Sequence, residues 1–342
     1  MMRAQPVQGH AASPGLWTLA WRRLRADRIA MASLAVVCLF LLSVLLSATG
    51  LVAADWEDEV AVNYAPPAFM GADPALAALA RPAAPPPPNA FDPLAADIAA
   101  LKAKLARQGK TAQAAKAATL PFGADKWGHD VVKKTIKGGQ TSIVVGLVAA
   151  LVAVALGTLF GALSGFYGGV VDDLFNWFYN VFTAIPAILM ILTVAAVLQT
   201  KGVLTIVLIL GLTGWTGPYR LIRAEYIKHK AREYVMAADA IGASGWRKMF
   251  VHIFPNVSHV ALVQMSILVV GFIKAEVILS FLGFGVPVGV VSWGSMLNEA
   301  QNELILGKWW QLAAAASAMA LLVTAFSLFA DALRDALDPK LK

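Results

Sequence analysis

GGQTSIVVGLVAALVAVALGTLFGALSGFYGGVV, residues 138–171, runs without a single charged side chain. About 20 such residues, coiled as a helix, cross roughly 30 Å of hydrocarbon. A helix is also one of only two backbone forms that satisfy their own polar groups in lipid. Gly157, Gly161, Gly165 and Gly169 recur every fourth position along this run. They lie in one stripe, where the absence of side chains lets a second helix approach backbone to backbone. Five further charge-free runs are long enough for the same reading: 29–54, 174–200, 202–219, 249–273 (neutral histidines aside) and 309–330. The chain therefore reads as an all-α membrane protein with six transmembrane helices. Run 277–298 is also uncharged, but Gly283, Gly285, Pro287 and Gly289 crowd it, so it reads as an irregular or re-entrant loop.

The composition agrees: 58% of residues are hydrophobic, 14% are charged, and the mean hydropathy is +0.66. Positive charge gathers before the first run (Arg22, Arg23, Arg25, Arg28), between the fourth and fifth, and after the last (Arg334, Lys340, Lys342). An even number of spans places these regions on one side, and the excess of Lys and Arg makes that side cytoplasmic, with both termini there. Asp172 and Asp173 in the second-to-third loop weigh little in that rule. The first run exceeds the apolar core of a cleavable leader, so it reads as a retained span. Residues 1–28 before it form a cytoplasmic amphipathic segment, with Trp17, Trp21 and Leu24 sharing one face along the membrane surface. The net charge of +7 sits beside spans, which points to lipid and not to nucleic acid. No phosphate loop, no HExxH helix and no Cys/His cluster with metal spacing occurs in the sequence, so neither catalysis nor a metal is expected in this chain. Cys38, inside the first span, is the single cysteine and reads as packing.

Between the fourth and fifth spans lies EYVMAADAIGASGWRKMFVHIFPN, residues 233–256. Ala237, Ala238 and Ala240 favour helix, Gly242 interrupts it, and Pro255 closes the unit. The spacing from Ala237 and Ala238 through Gly242 to Pro255 resembles the EAA loop of ABC-importer permeases, whose short helices sit in a cleft of the ATPase subunit. The expected docking residues are Glu233, Tyr234, Ala237, Ala238, Ala240, Gly242, Ala243 and Pro255, within a coupling loop over 223–256. Met236 stands where the family has Glu.

From Pro121 to Lys342 the resemblance continues, motif by motif. FGADKWGHDV (122–131), SGFYGGVVDD (164–173), FTAIPAILM (182–190), GWTGPYRLIRAE (214–225), KAEVILSFLGFGV (274–286), SWGSML (292–297) and DALRDALDPKLK (331–342) follow the order found in the second, C-type permease of dipeptide, oligopeptide and nickel ABC importers. His129 replaces the usual Arg, and Trp177 and Asn180 stand where relatives carry an Arg and an Asp. The resemblance implies the type I importer fold in a bacterial inner membrane, with a transport core over 138–332 and a tail at 333–342. It implies four kinds of partner: a homologous second permease, two cytoplasmic ATPases that hold ATP and Mg, an extracytoplasmic solute-binding protein, and the bilayer. No cofactor is implied for this chain itself. Peptides are the expected cargo, with nickel, an oligosaccharide or a peptide antibiotic as alternatives.

A secondary transporter would need several mid-membrane carboxylates, whereas Lys274 and Glu276 are the only evident intramembrane charges. A membrane enzyme would need clustered His, Asp or Ser, and the five histidines are scattered. Glu276 is a candidate for the pathway or for a structural hydrogen bond. Pro186 should kink the third span and could gate it, and Trp293 is a further pathway candidate. The insert at 55–137 divides in two. Pro66, Pro67, Pro82 and Pro85 to Pro88 read as extended or disordered, whereas Leu94, Ile98, Leu101 and Leu105 space out a short amphipathic helix interrupted at Gly109. The insert is either a docking arm or a spacer.

Overall fold

A computed structural model describes residues 16–74, 80, 93–107 and 116–337, and among these every regular element is helical. Near the start come α1 (Leu16–Ala26), α2 (Arg28–Ala48) and the peripheral α3 (Ala95–Arg107). The long α4 (Val131–Tyr167) is followed by α5 (Gly169–Thr183) and α6 (Ala187–Leu198). Next are α7 (Val203–Thr213), α8 (Thr216–Lys230) and α9 (Glu233–Ala240). The continuous α10 (Gly245–Phe281), α11 (Trp293–Ile305) and α12 (Trp310–Leu337) complete the bundle. Four helices, α2, α4, α10 and α12, are long and apolar enough to cross a membrane. The α5–α6 pair makes a fifth if it counts as one span bent by 84°.

The bend falls where the sequence places Pro186, which precedes the first residue of α6 and receives the amides of Leu189 and Met190 on its carbonyl. With no N–H of its own, proline cannot continue α5, and the axis turns there.

Helix directions follow from which residues meet. Gly157 faces Trp215 and Pro218, Gly161 faces Tyr219 and Ile222, and Gly165 faces Arg223 and Tyr226. Numbers rise together, so α4 and α8 run parallel, and α5–α6 return the chain between them. Against α10 the numbers run oppositely: Gly146 meets Ile273, while Ala162 and Phe166 share a cluster with Met249 and Ile253. Ala20, Leu24 and Ala30 meet Ala336 and Leu337, so α2 begins where α12 ends. The bundle thus has a loop end, holding residues 231–247, and a cap end, holding the segments flanking α3.

At the cap end, residues 51–71 and 116–130 fold over the bundle through short main-chain pairings of Ala61 with Ala117, Pro67 with Leu120 and Ala124 with Asp130. Pro66 and Pro67 are buried in it, contrary to the extended or disordered expectation. Their flanking amides are spoken for: Ala65 donates to Val62 and Ala68 to Leu120. The amphipathic helix expected from Leu94 onward is α3, and Leu94, Ile98, Leu101 and Leu105 are all exposed on it. Pro82, Pro85 to Pro88, Gly109 and residues 338–342 lie outside the described residues, as do residues 1–15 and the Trp17 side chain. Trp21 and Leu24 do not share one environment: Trp21 is exposed, and Leu24 is buried against the end of α12.

Half of run 277–298 is helical. α10 continues to Phe281, and α11 starts at Trp293 behind a capping box in which Ser292 and Ser295 exchange hydrogen bonds. Only 282–292 is loop, where the glycines and Pro287 concentrate.

Candidate coupling site

The segment 231–256 is built on a buried half and an exposed half. Val235 and Ala238 of α9 are buried, and Val235 joins Phe166, Ile222, Tyr226, Met249 and Ile253. Tyr226 donates its hydroxyl to the Met249 carbonyl at 3.1 Å, which fixes α8 to the first turns of α10. After Ala240 the chain must reverse, and Gly242 takes φ +77°. Its amide donates to Asp239 at 2.9 Å and the Ala243 amide to Ala238 at 3.0 Å, so the last free carbonyls of α9 are closed off in a Schellman arrangement. Ser244 then caps α10 by accepting from the Arg247 amide at 3.3 Å. Lys248 pairs with Asp239 across the turn. Lys230 and Lys248 lie over the Phe166 ring at 5.7 and 5.8 Å, a cationic clasp on an aromatic face.

Pro255 does not close the unit, because α10 passes straight through it to Phe281. A proline inside a helix lacks one amide and crowds the carbonyl four residues back. Here residues Lys248–Ile253 wind as a wide π-type turn, with the Phe254 amide reaching back to Met249, and Pro255 sits where that turn hands over to α-helix. Of the other expected residues, Glu233, Ala237, Ala240 and Gly242 are exposed, Ala243 is half-buried and Tyr234 hydrogen-bonds His229 at 2.8 Å. Met236, Ile241, Trp246 and Val251 are large apolar side chains left outside, with Ile241 82% exposed. The result is a rigid apolar knob ringed by Arg232, Arg247 and Lys248.

The knob is tied to the bundle through the α4–α8 seam. A β-carbon on Gly157, Gly161 or Gly165 would fall 2.6, 2.8 and 2.7 Å from backbone carbonyl oxygens of α8, so only glycine permits this approach. Gly169 does not belong to the seam: it opens α5 at φ +51°, and an added β-carbon would meet nothing within 4 Å. Across the same seam Asp172 accepts two 2.6 Å bonds from Arg223 and a further one from Ser164, whose oxygen lies 3.1 Å from the Tyr219 hydroxyl. The fork of a guanidinium on a carboxylate fixes orientation as well as distance. Asp172 thus belongs to α5 and not to a loop, and Arg223 to α8. Fifty-one positions separate them, so no local spacing could have paired them.

The pathway candidates lie elsewhere. Glu276 is fully buried, and Ser142 and Ser280 each donate a 2.6 Å bond to it. Ser142 in turn accepts from the Trp293 amide at 3.2 Å. Glu276 thus joins α4, α10 and α11 through these bonds. Trp293 is likewise interior, donating Nε1–H to the Thr135 carbonyl at 3.0 Å and packing over Gly139. Pro186 and Lys274 are exposed.

At the cap end a cavity of about 620 Å³ opens between the cap and the 283–291 loop, with Trp56, Lys126, His129, Lys134 and Glu299 among its walls. Beneath it the Lys134 ammonium, itself buried, donates to Asp125 and Glu299 at 2.6 Å and to Gln311 at 3.2 Å. Asp125 also accepts the Trp127 and His129 amides and meets His129 Nδ1 at 2.9 Å, which explains the FGADKWGHDV turn.

The comparisons fit this architecture. Residues 157–342 match the family described as binding-protein-dependent transport system inner membrane component, and residues 15–67 match the N-terminal TM domain of oligopeptide transport permease C. The dipeptide transport system permease protein DppC of Bacillus subtilis is 36% identical over 221 residues, 65% of this chain and 69% of that protein. The oligopeptide transport system permease protein OppC of the same organism is 34% identical, with 65% and 72% covered. The peptidoglycan transport system permease protein YejE of Agrobacterium fabrum is 32% identical over 219 residues, covering 64% of this chain and 57% of that one. The chain is a multi-pass membrane protein and a non-catalytic subunit, the family's ATPases being separate polypeptides. It belongs to the binding-protein-dependent inner membrane component family, as a C-type permease of the dipeptide/oligopeptide ABC importers.

Proposed function

We propose that this subunit forms half of a peptide translocation pathway and is driven by ATPase subunits that grip the knob around Met236, Ile241 and Trp246. One observation carries the reading: large apolar side chains stand exposed on a segment whose opposite face is locked into the bundle. A push on α9 would pass through Tyr226 and the glycine seam into α4 and α8, because neither contact has slack. ATP binding would supply the energy by favouring one of two arrangements, with no chemistry in this chain. Peptide cargo is supported by the names of the relatives. Six crossings follow if α5–α6 and α7–α8 each traverse once, as the parallel course of α4 and α8 supports. The loop end is then cytoplasmic, where Arg and Lys collect. The cap end faces a solute-binding protein, with a homologous second permease alongside.

The test is Ile241→Asp, co-expressed with the neighbouring permease and ATPases in the native membrane. Since Ile241 packs against little, the subunit should accumulate normally, lose co-purifying ATPase by at least tenfold and stop peptide uptake. Full ATPase recovery with intact uptake would exclude the knob as the docking surface.

A further inference from the structure

Glu303, on the inner face of α11, is 1% exposed; among the described residues neither carboxylate oxygen makes a hydrogen bond of good geometry, and the Lys126 amide of the cap exerts only a weak hydrogen-bonding pull on it. A buried anion in that condition is strongly unfavourable. Every cation close enough to compensate is already engaged. Lys134 has spent its three donors on Asp125, Glu299 and Gln311, and Lys126 leans to Glu299 at 3.9 Å. Glu299 lies one helical turn before Glu303 on the same face of α11, so the nearest charge on its own helix is of like sign. From the cap, Asp125 and Tyr64 face the same space, Tyr64 being influenced by both carboxyls. α12 contributes the neutral Gln311, and α4 only Lys134.

We infer that Glu303 is a proton-binding site that holds the cap onto the bundle: it carries a proton while residues 51–71 and 116–130 are seated, and losing that proton loosens them. This goes beyond the transport reading and does not depend on it.

The titration of the site supports the geometry. Burial pushes the Glu303 carboxyl up to about 7; Lys134 opposes the rise, Asp125 and Glu299 add to it, and the nearby Lys126 amide opposes it. With the cap lifted, water would reach the group and return it toward its ordinary 4.5. The seated state therefore binds the proton more tightly. Its advantage is complete below about 4.5, falls as pH rises, and is gone above about 7. Asp125 works in the other direction and at lower pH. Burial pushes it up, but the Lys134 ammonium and the bonds it receives outweigh that and hold it below 3.8. Its contribution is present above 3.8 and lost only in stronger acid, so the two windows do not overlap.

The experiment is hydrogen exchange by mass spectrometry on the full chain in nanodiscs at pH 5 and pH 8. It compares wild type with Glu303→Gln, which mimics the neutral acid at any pH. The reporters are the cap amides of Val62, Tyr64, Ala68 and Ala124, which donate to Ala117, Asp125, Leu120 and Ala65. At pH 5, just above the ordinary 4.5, the two proteins should differ by only about fourfold. At pH 8 the wild-type cap should open more often than the variant's, by up to about two orders of magnitude. Equal wild-type-to-variant ratios at both pH values would overturn the proposal. If the variant fails to accumulate, wild type alone decides. After correction for chemical exchange, protection of these amides must fall from pH 5 to pH 8 while that of α4 holds, and constant cap protection overturns the proposal.

Discussion

The two ends of the bundle solve the same problem, how to fix a non-spanning segment to a membrane core, with opposite chemistry. The cap is held by charge taken out of water: Lys134 is bonded to three acceptors and Asp125 is fully enclosed. The loop end is held chiefly by apolar packing and close backbone approach, through Val235, Tyr226 and the seam glycines, with one half-buried ion pair, Asp172–Arg223, beside them. Buried ionic networks fix geometry but tolerate no loss of a member, whereas apolar faces yield gradually. The cap is accordingly an all-or-none lock, and the loop end a rigid handle that can be pushed.

Removing the lock is the strongest way to break this contrast. Lys134→Met leaves the buried Asp125 without its ammonium, beside a half-buried Glu299 that keeps only Lys126 at 3.9 Å. Uncompensated buried charge costs about 3–5 kcal/mol. The cap should come off with most of the helical bundle still folded, read as protease cleavage within 55–70 at unchanged helical circular dichroism. A subunit that keeps its cap sealed would mean that apolar contacts alone hold that end.

The seam gives the next largest effect. Gly161→Leu places a side chain where an α8 carbonyl already lies 2.8 Å from a β-carbon. Overpacking of this kind costs roughly 1–3 kcal/mol and forces the helices apart. A lowered unfolding midpoint, together with loss of coupling between ATPase and uptake, is expected. The control is Gly169→Leu, free of any clash, which feels only its φ. Equal losses from the two substitutions would show that the seam is not the tight element.

These differences also mark what the sequence could tell. Four spans, α2, α4, α10 and α12, were legible because the charge-free runs and the membrane's length requirement are both local; the breaks that divide runs 174–200 and 202–219 were not, beyond the kink expected at Pro186. Gly157, Gly161 and Gly165 were legible because four-residue spacing is local too. The same pattern misplaced Gly169, since a stripe in sequence does not reveal where a helix breaks. Glycine and proline content hid the end of α10 and the start of α11, although Ser292 and Ser295 spelled out a capping box. Pro255 looked like a terminator because the π-type turn that accommodates it leaves no simple mark. The Lys134 network stayed invisible because its partners lie up to 177 positions apart. Glu276 stood out as a charge in lipid, but its bonds from Ser142, 134 positions away, and Ser280 needed the fold to be seen.

The smallest effect sharpens the contrast between the ends with one chemical change made twice. Gly128 in the cap and Gly242 in the loop both hold positive φ, at +90° and +77°. Alanine pays a similar backbone penalty at each, about 1–2 kcal/mol. Only at Gly128 does the new β-carbon also strike a neighbour, 2.1 Å from the Ala61 carbonyl oxygen, whereas at Gly242 nothing lies within 4 Å. Gly128→Ala should therefore expose the 61–68 segment to exchange, while Gly242→Ala should leave fold and assembly intact. It should weaken only the turn that aims Ile241 and Trp246, seen as a modest fall in uptake per ATP hydrolysed. If Gly242→Ala instead destabilises the subunit as much as Gly128→Ala does, the loop end is as sterically locked as the cap, and the division of labour between them fails.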